Sequence, residues 1–278
     1  MFNMNRLSVE ERVKVIRCLV DGCSMRATAR IADVARNTID KLLVELGAAC
    51  SKFQDTTLRD LSCKRIQVDE IWAFCYKQKQ VTAEIAAERI AGDIWTWAAI
   101  DADTKLVPCW TLGKRDGETA DAFVSDMASR LADRAQITSD GLAAYMDAIV
   151  KAFGEEVDYG KLIKYYGNEP GAERRYSPAI CTRCEKREMI GSPDPKHIST
   201  SYIERQNLTM RMGIRRFTRL TNAVSKKVEN HAAAVSLHMV YYNFGRKHMT
   251  LGTSPAVAAG VTDHVWSVEE IVALLDSN

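Results

Sequence analysis

The sequence predicts an α/β fold that follows a small all-helical segment at the N-terminus. Apolar residues recur at helical spacing through residues 8–46, whereas residues 64–77 alternate apolar and polar side chains, as a half-buried strand does. Strand-like and helix-like segments then alternate as far as residue 166. This order predicts helices packed on a sheet.

Four regions follow from these patterns. We expect a helical domain over residues 1–47, a linker over residues 48–63, an α/β core over residues 64–250 and a helical tail over residues 251–278. Residues 166–200 hold four of the six prolines, so we expect a long insertion or loop there. The core is thus expected to contain the sheet, its helices and one irregular segment.

Three short helices are expected in the N-terminal domain. Ser8 and Glu11 form a capping-box pattern at the start of the first helix. A break near Ala35 separates the second helix from a third, which we expect to end at Gly47. Two short helices with a tight break indicate a helix-turn-helix, whose second helix enters the major groove of DNA. The expected DNA contacts are Arg36, Asn37, Thr38 and Lys41. A three-helix oligomerisation module is the alternative.

Seven segments of the core carry a strand or helix pattern before the insertion. Strands are expected over residues 64–77, 93–101 and 104–113. A helix over 116–135, a strand over 136–141, a helix over 142–154 and a last strand over 161–166 follow. After the insertion, helical spacing returns over residues 199–212, 222–244 and 267–277.

Three carboxylates stand at positions where their side chains are expected to converge. Asp is disfavoured inside strands, yet Asp69 lies in the middle of the first one. Asp140 ends another strand, where α/β sheets place their sites, and Glu204 lies on a helix. Oxygen ligands of this kind suit Mg²⁺ or Mn²⁺. Taken singly, the three residues also fit a strand-edge acid, a helix cap and a solvated helix acid.

Three segments resemble, in order and wording, the catalytic motifs of DDE-class bacterial insertion-sequence transposases. They are QVDEIW, TSDGLAAY and STSYIERQN, and the chain is most similar to the insertion sequence one type and its relatives. The later MGIRRFTRLTNAVSKKVENH and YYNFGRKHMTLGTSPA are similar to that family's basic C-terminal segment. The resemblance covers residues 64–260.

The resemblance implies an RNase H-like core of the retroviral-integrase type, with Asp69, Asp140 and Glu204 as its metal-binding catalytic triad. It implies Mg²⁺, with Mn²⁺ as an alternative, and metal-dependent cleavage at transposon ends followed by transfer of the 3′ ends into target DNA. The implied partners are double-stranded DNA, as terminal inverted repeats and as target, and further copies of this chain. A structure-selective RNase H-like nuclease and a non-enzymatic helix-turn-helix DNA-binding regulator are the alternatives.

Positive charge is concentrated in one part of the chain. The formal net charge is only +2, but residues 205–247 contain nine Lys or Arg and one acid. Such a segment indicates a surface that meets a polyanion, and phosphate contacts make DNA binding salt-dependent. The expected DNA contacts in this segment are Arg205, Arg211, Arg215, Arg216 and Arg219. A solvated basic face is the alternative.

Composition and cysteine spacing exclude several classes of protein. No apolar run is long enough for a membrane span and the N-terminus has no secretory pattern, so we expect a cytoplasmic, nucleoid-associated protein. Cys181 and Cys184 have part of a zinc-site spacing, with His197 further on, but no fourth ligand is evident. Zinc is therefore not expected.

Overall fold

Helices cover both faces of a six-stranded sheet in the computed structural model, which describes residues 7–75, 92–167, 180–218 and 223–276. This architecture confirms the α/β prediction. Within these ranges, none of the helices combines the length and the apolar character that crossing a membrane requires.

Three helices precede the sheet: α1 (Val9–Val20), α2 (Met25–Ala32) and α3 (Arg36–Thr57). The expected capping box is present, because Ser8 and Glu11 each accept a hydrogen bond from the other's backbone N–H. Asp33 has a left-handed backbone (φ 57°), which ends α2 and turns the chain towards α3. The break therefore lies close to its predicted position.

The third helix is longer than predicted, because α3 continues past Gly47 to Thr57. Residues 48–57, the first part of the expected linker, are therefore helical. Gly47 lies where α3 packs on α7 (Val228–Val240), and a Cβ atom at this position would be 2.5 Å from Ala233. The glycine permits close packing of two helices, so it does not mark a helix end.

Six strands form the sheet: β1 (Arg65–Cys75), β2 (Gly92–Asp101), β3 (Trp110–Gly113), β4 (Gln136–Ser139), β5 (Asp158–Gly167) and β6 (Ile180–Ile190). Their order across the sheet is β3-β2-β1-β4-β5-β6. Strand β2 is antiparallel to both β1 and β3, whereas β4 runs parallel to both β1 and β5. The last strand, β6, is antiparallel to β5.

The third strand is shorter than the segment 104–113 that the sequence predicts. Only Trp110–Gly113 forms β3. Before it, the Asn243 side chain accepts a hydrogen bond from the N–H of Val107 and donates one to its carbonyl, each at 2.9 Å. A side chain therefore satisfies the backbone groups that a strand neighbour would otherwise bind.

The region expected to be an insertion or loop contains strand β6. Most side chains of residues 181–190 are exposed, as befits a strand at the edge of a sheet. An edge strand of this kind shows no apolar alternation, because neither of its faces is buried. For this reason the sequence pattern gave no sign of it.

Helices enclose the sheet from both sides. On the face that contains Val68, α4 (Gly117–Ala128) and α5 (Ala144–Phe153) share one apolar cluster with α1–α3. On the face that contains Ile71, α6 (Ser201–Gly213) and part of α7 form a second cluster. A π-helical turn (Tyr241–Gly245), α8 (Pro255–Ala258), α9 (Val268–Ala273) and 3₁₀ turns at Arg215–Phe217 and Leu274–Asp276 complete the described helices.

Candidate functional site

Two carboxylates meet where β1 and β4 run side by side. The parallel register places Gln67 opposite Thr138, so Asp69 and Asp140, two residues further along each chain, stand at the same level. Oxygen atoms of Asp69, Glu70 and Asp140 lie within 4.8 Å of one another. Strand pairing therefore brings together two of the three carboxylates that the sequence singles out.

Asp69 is held in place from two directions. Its Oδ1 accepts a hydrogen bond from the backbone N–H of Glu70, and its Oδ2 accepts one from the side-chain amide of Asn207 on α6, both at 2.8 Å. Burial raises the pKa of Asp69 to about 7. The carboxylates of Glu70, Asp140 and Glu204 contribute to this rise in pKa. Asp69 thus lies among negative charges.

Asp140 is the more open of the two strand carboxylates. Its Oδ1 accepts a hydrogen bond from the backbone N–H of Leu142 at 2.8 Å, which fixes the side chain at the end of β4. Its Oδ2 lies 3.7 Å from the guanidinium group of Arg115. With a side chain 38% exposed, Asp140 is accessible to a ligand from solvent.

Glu70 is a site residue that the sequence reasoning missed. Its side chain is only 1% exposed, and its Oε2 accepts a hydrogen bond from Nε of Arg115 at 3.0 Å. Burial raises the pKa of Glu70, and the Arg115 guanidinium opposes that rise. Arg115 in turn lies over the ring of Trp95, 5.1 Å from its centre. The signal was an acid on the apolar face of the strand, between Val68 and Trp72.

Glu204 lies beside the carboxylate cluster without joining it. Among the described residues, its carboxylate forms an ion pair with Lys164 of β5 and accepts a hydrogen bond from the Thr200 hydroxyl at 2.5 Å. Its helix is docked on β1, because Oε1 of Gln67 accepts hydrogen bonds from the N–H groups of Tyr202 and Ile203. The predicted third carboxylate is therefore close to the cluster but paired with the ammonium group of Lys164.

The donor set at Asp69 and Asp140 fits a divalent cation of the Mg²⁺ type. Both offer hard carboxylate oxygens, which this ion prefers. Beside them, the buried Oε1 of Glu70 has no hydrogen-bond partner in the part of the chain that the structure describes. Like charges in so small a volume repel one another, and a bound cation relieves this repulsion. The residues present therefore match the expected metal.

The four helix-turn-helix candidates lie at the start of α3. Arg36, Asn37 and Lys41 are exposed, and Thr38 is partly buried. Asp40 lies between them and faces inward, where its Oδ1 accepts a long hydrogen bond (3.4 Å) from Asn230. The first turns of α3 therefore present basic and polar side chains to solvent.

The C-terminal basic candidates differ in their surroundings. Arg205 and Arg215 are exposed and Arg211 is partly buried, whereas Arg219 lies outside the described residues. Arg216 is turned inward, and its guanidinium donates a hydrogen bond to the hydroxyl of Ser225 at 3.0 Å. Burial lowers the pKa of Arg216. The run of arginines is thus not a uniform surface.

The cysteine pair lies on the edge strand, and the histidine that follows it in the sequence does not join it. The sulfur atoms of Cys181 and Cys184 are 3.4 Å apart and both residues are exposed on β6. The ring of His197 instead contacts the guanidinium of Arg65, with Nδ1 2.6 Å from Nη1. Within the described residues, the two cysteines and this histidine do not form a common ligand cluster.

No family model and no curated protein matches this chain. Among solved structures, it is similar to the piggyBac transposase in a synaptic complex with hairpin DNA, with 8% identity and a TM-score of 0.38 over 99% of this chain and 73% of that one. It is also similar to the Mos1 transposase in a paired-end complex with the left transposon end, with 11% identity and a TM-score of 0.22 over 53% of this chain and 58% of that one. Both scores are low, so function has to be inferred from the residues of the site.

Proposed function

We propose that the protein is a DNA transposase of the DDE class, similar to the insertion sequence one type. The observation that carries this proposal is the meeting of Asp69 and Asp140 where β1 and β4 pair, beside the helix that bears Glu204. These residues come from the three segments whose sequences resemble the catalytic motifs of that class. Acids without a shared role would not be expected both to belong to these segments and to lie side by side.

The order of the strands supports an RNase H-like core over residues 64–250. Three antiparallel strands are followed by two parallel strands, with helices between them. Asp69 lies on the first strand, and Asp140 directly follows the fourth. Strand β6 would be an addition at the edge of this core. We also propose that residues 1–47 are a DNA-binding helix-turn-helix, because α2 and α3 are joined by a tight break.

In the proposed reaction, Asp69 and Asp140 hold divalent metal ions, with Mg²⁺ as the expected metal. Such ions, when bound, acidify a water or a 3′-hydroxyl and stabilise the departing oxygen in phosphoryl transfer. The Asn207 amide keeps one oxygen of Asp69 oriented, and the N–H of Leu142 does the same for Asp140. No side chain of the protein has to act as the nucleophile.

Glu204 completes the site, in this proposal, when DNA displaces Lys164. Residues three apart on a helix are neighbours, so Glu204 lies on the same side of α6 as Asn207, which contacts Asp69. The Lys164–Glu204 ion pair is partly exposed, with side chains 23% and 44% accessible, and exposed pairs are weak. A DNA phosphate competes with Glu204 for the Lys164 ammonium and thereby frees the carboxylate.

The proposed partners are the terminal inverted repeats and the target DNA. The exposed residues Arg36, Asn37 and Lys41, with Thr38, would read a major groove. Arg205, Arg211 and Arg215 would bind phosphates near the cleaved bond, and Arg219 stays a proposal from sequence alone. One active site has to act at each transposon end, so we propose that several copies assemble on DNA. Binding of this kind would associate the protein with the nucleoid.

DNA that flanks the reading frame supplies the substrate for the test. We expect the purified protein with Mg²⁺ or Mn²⁺ to nick duplexes made from those flanks and to join the new 3′ ends to a target plasmid. Asp140→Asn should abolish both reactions and retain DNA binding, whereas Asp147→Asn, an exposed acid of α5, should retain all three. Cleavage without joining would indicate an RNase H-like nuclease, and binding without cleavage a DNA-binding regulator. Either result would reject the transposase proposal.

A further inference from the structure

A rigid loop after the π-helical turn carries an apolar side chain at its tip. The N–H of His248 donates to the carbonyl of Thr253 at 2.8 Å, and the N–H of Gly252 donates to the carbonyl of His248 at 2.9 Å. Gly252 adopts a left-handed backbone (φ 70°), which closes the loop. Met249, one residue after His248, is 99% exposed. The loop therefore holds an apolar side chain out in solvent.

Both ends of this loop are fixed to the core. Phe244 is fully buried before it, and Ala256 is fully buried after it. The N–H of Arg246 donates to the carbonyl of Tyr241, and Ser254 caps α8. A side chain on such a base loses little further freedom when it binds, because the backbone that carries it is already ordered.

Positive side chains flank the tip of the loop, because Arg246 and Lys247 directly precede His248 and Met249 in the chain and are both exposed. Burial lowers the pKa of His248, and the cationic groups of Lys105, Arg246 and Arg205 lower it further. An apolar tip within a field of positive charge fits a partner that is anionic outside and apolar inside.

One of the cations that act on His248 belongs to α6, the helix of the candidate active site, and a second, the buried Lys105, packs on that helix. Lys105 lies over the ring of Tyr202, 3.4 Å from its centre, and Tyr202 is on the first turn of α6. Arg205 directly follows Glu204 on the same helix. DNA that reaches Glu204 would therefore meet exposed positive charge on α6, at Arg205, and beside the loop tip, at Arg246 and Lys247.

We propose that Met249 is a wedge that inserts between neighbouring bases of DNA close to the cleaved phosphate. The inference rests on the proposed function, since it takes DNA as the ligand. A duplex presents phosphates outside and an apolar base stack inside, which matches the charge and the tip described above. Apolar side chains of this type unstack base steps in other DNA-binding proteins and bend the duplex. Unstacking here would open the transposon end for strand transfer.

Fluorescence of 2-aminopurine reports the unstacking directly. Short duplexes from the DNA that flanks the reading frame would each carry this base at one position, and binding would be followed in parallel by anisotropy. We expect the wild-type protein to raise the fluorescence several-fold at one or two adjacent positions. Met249→Ala should leave it at the level of the free duplex, and Met249→Leu should restore it.

The expected change in affinity is small. Met249→Ala loses an apolar contact but also avoids the cost of unstacking, so Kd should change less than about threefold. Met212→Ala is the matched control, because this methionine is 71% exposed on α6 without a loop to present it. It should leave the fluorescence signal unchanged.

Four results would overturn the wedge. Wild-type protein could bind the duplexes without any rise in fluorescence, which would leave the proposed function standing and remove only Met249 from it. Met249→Ala could unstack the same base as the wild type. A change in oligomeric state caused by Met249→Ala, with base stacking unaffected, would assign the tip to a contact between copies of this chain. Absence of DNA binding altogether would reject the wedge together with the proposed function.

Discussion

Asp69 and Glu70 are neighbours in β1 with oxygen atoms within 4.8 Å of one another, but their side chains leave opposite faces of the sheet and have different hydrogen-bond partners. Asp69 faces α6, where it accepts a hydrogen bond from the neutral amide of Asn207, and nearby acids raise its pKa. Glu70 faces α4 and α5, where the guanidinium of Arg115 lies 3.0 Å away. Among the described residues, Asp69 forms no ion pair, whereas Glu70 forms one with Arg115.

This difference separates a binding residue from a structural one. A buried acid with its own arginine is balanced within the protein, and removing either partner leaves the other uncompensated. A buried acid among other acids is neutralised either by a proton, as its raised pKa reflects, or by a bound cation. We therefore propose that Asp69 and Asp140 bind the metal ion and that Glu70 holds Arg115 against this site.

The largest effect on DNA cleavage is expected when a carboxylate of the site loses its charge, in contrast to an acid elsewhere on the surface. We expect Asp69→Asn to reduce metal-dependent DNA cleavage by about a thousandfold or more, a scale typical for loss of one charge-stabilising group. The melting temperature should stay the same or rise, since the substitution removes repulsion among acids. Gel assays of cleavage and thermal melts test both parts, with Asp147→Asn as the control. Cleavage that persists in Asp69→Asn would exclude this residue from the site.

A smaller effect is expected from the residue that orients Asp69. Asn207→Ala removes the amide that binds Oδ2 of Asp69, and such supporting residues typically contribute about 10–100-fold to metal affinity. Titration of the protein with Mn²⁺ measures this change. Leu208→Ala, which alters an exposed neighbour on α6, is the control. Equal Mn²⁺ affinity in Asn207→Ala and Leu208→Ala would contradict an orienting role.

A substitution on the opposite face of β1 should change the stability of the protein. Glu70→Gln weakens the hydrogen bond from Arg115 and is expected to lower the free energy of unfolding by about 1–3 kcal/mol. Its effect on Mn²⁺ affinity should be much smaller than that of Asp69→Asn. Denaturant unfolding of Glu70→Gln, Arg115→Gln and the double variant gives the coupling energy between the two residues. A Glu70→Gln protein of normal stability that no longer binds Mn²⁺ would reverse the assignment.

The smallest effect compares two adjacent arginines. Arg215 is exposed, so Arg215→Ala should reduce the slope of log K against log salt for DNA binding by about 0.9, the value for one phosphate contact. Arg216 donates to Ser225 inside the protein, so Arg216→Ala should keep that slope and lower the melting temperature. Binding isotherms at several salt concentrations distinguish the two. An equal loss of slope in both variants would mean that Arg216 also reaches DNA.

The sequence pattern pointed to the two aspartates because aspartate is unusual inside a strand and because the end of a strand is a common position for a site. Asp69 interrupts an apolar strand and Asp140 ends another. That the two stand level with each other depends on the register of β1 against β4, and no local pattern encodes that pairing. Glu70 was missed because its partner, Arg115, lies 45 residues away.

Long-range packing also explains the features of the structure that the sequence pattern did not show. Gly47 fits a helix end by its residue type, but its role is set by Ala233, far along the chain. Strand β6 has no buried face of its own and exists because β5 offers it hydrogen bonds. The engagement of Glu204 by Lys164 joins residues 40 positions apart. The propensities of neighbouring residues do not predict these contacts, because each contact joins residues that are far apart in the chain.

Binding of Mn²⁺ tests the metal centre most directly. Electron paramagnetic resonance of Mn²⁺ counts bound ions without DNA and without catalysis, so it separates the metal centre from every later step. We expect the wild-type protein to bind Mn²⁺ in competition with Mg²⁺, and Asp69→Asn and Asp140→Asn each to lose that binding while remaining folded. Wild-type protein that binds no Mn²⁺, or variants that bind it as the wild type does, would show that these carboxylates are not a metal site.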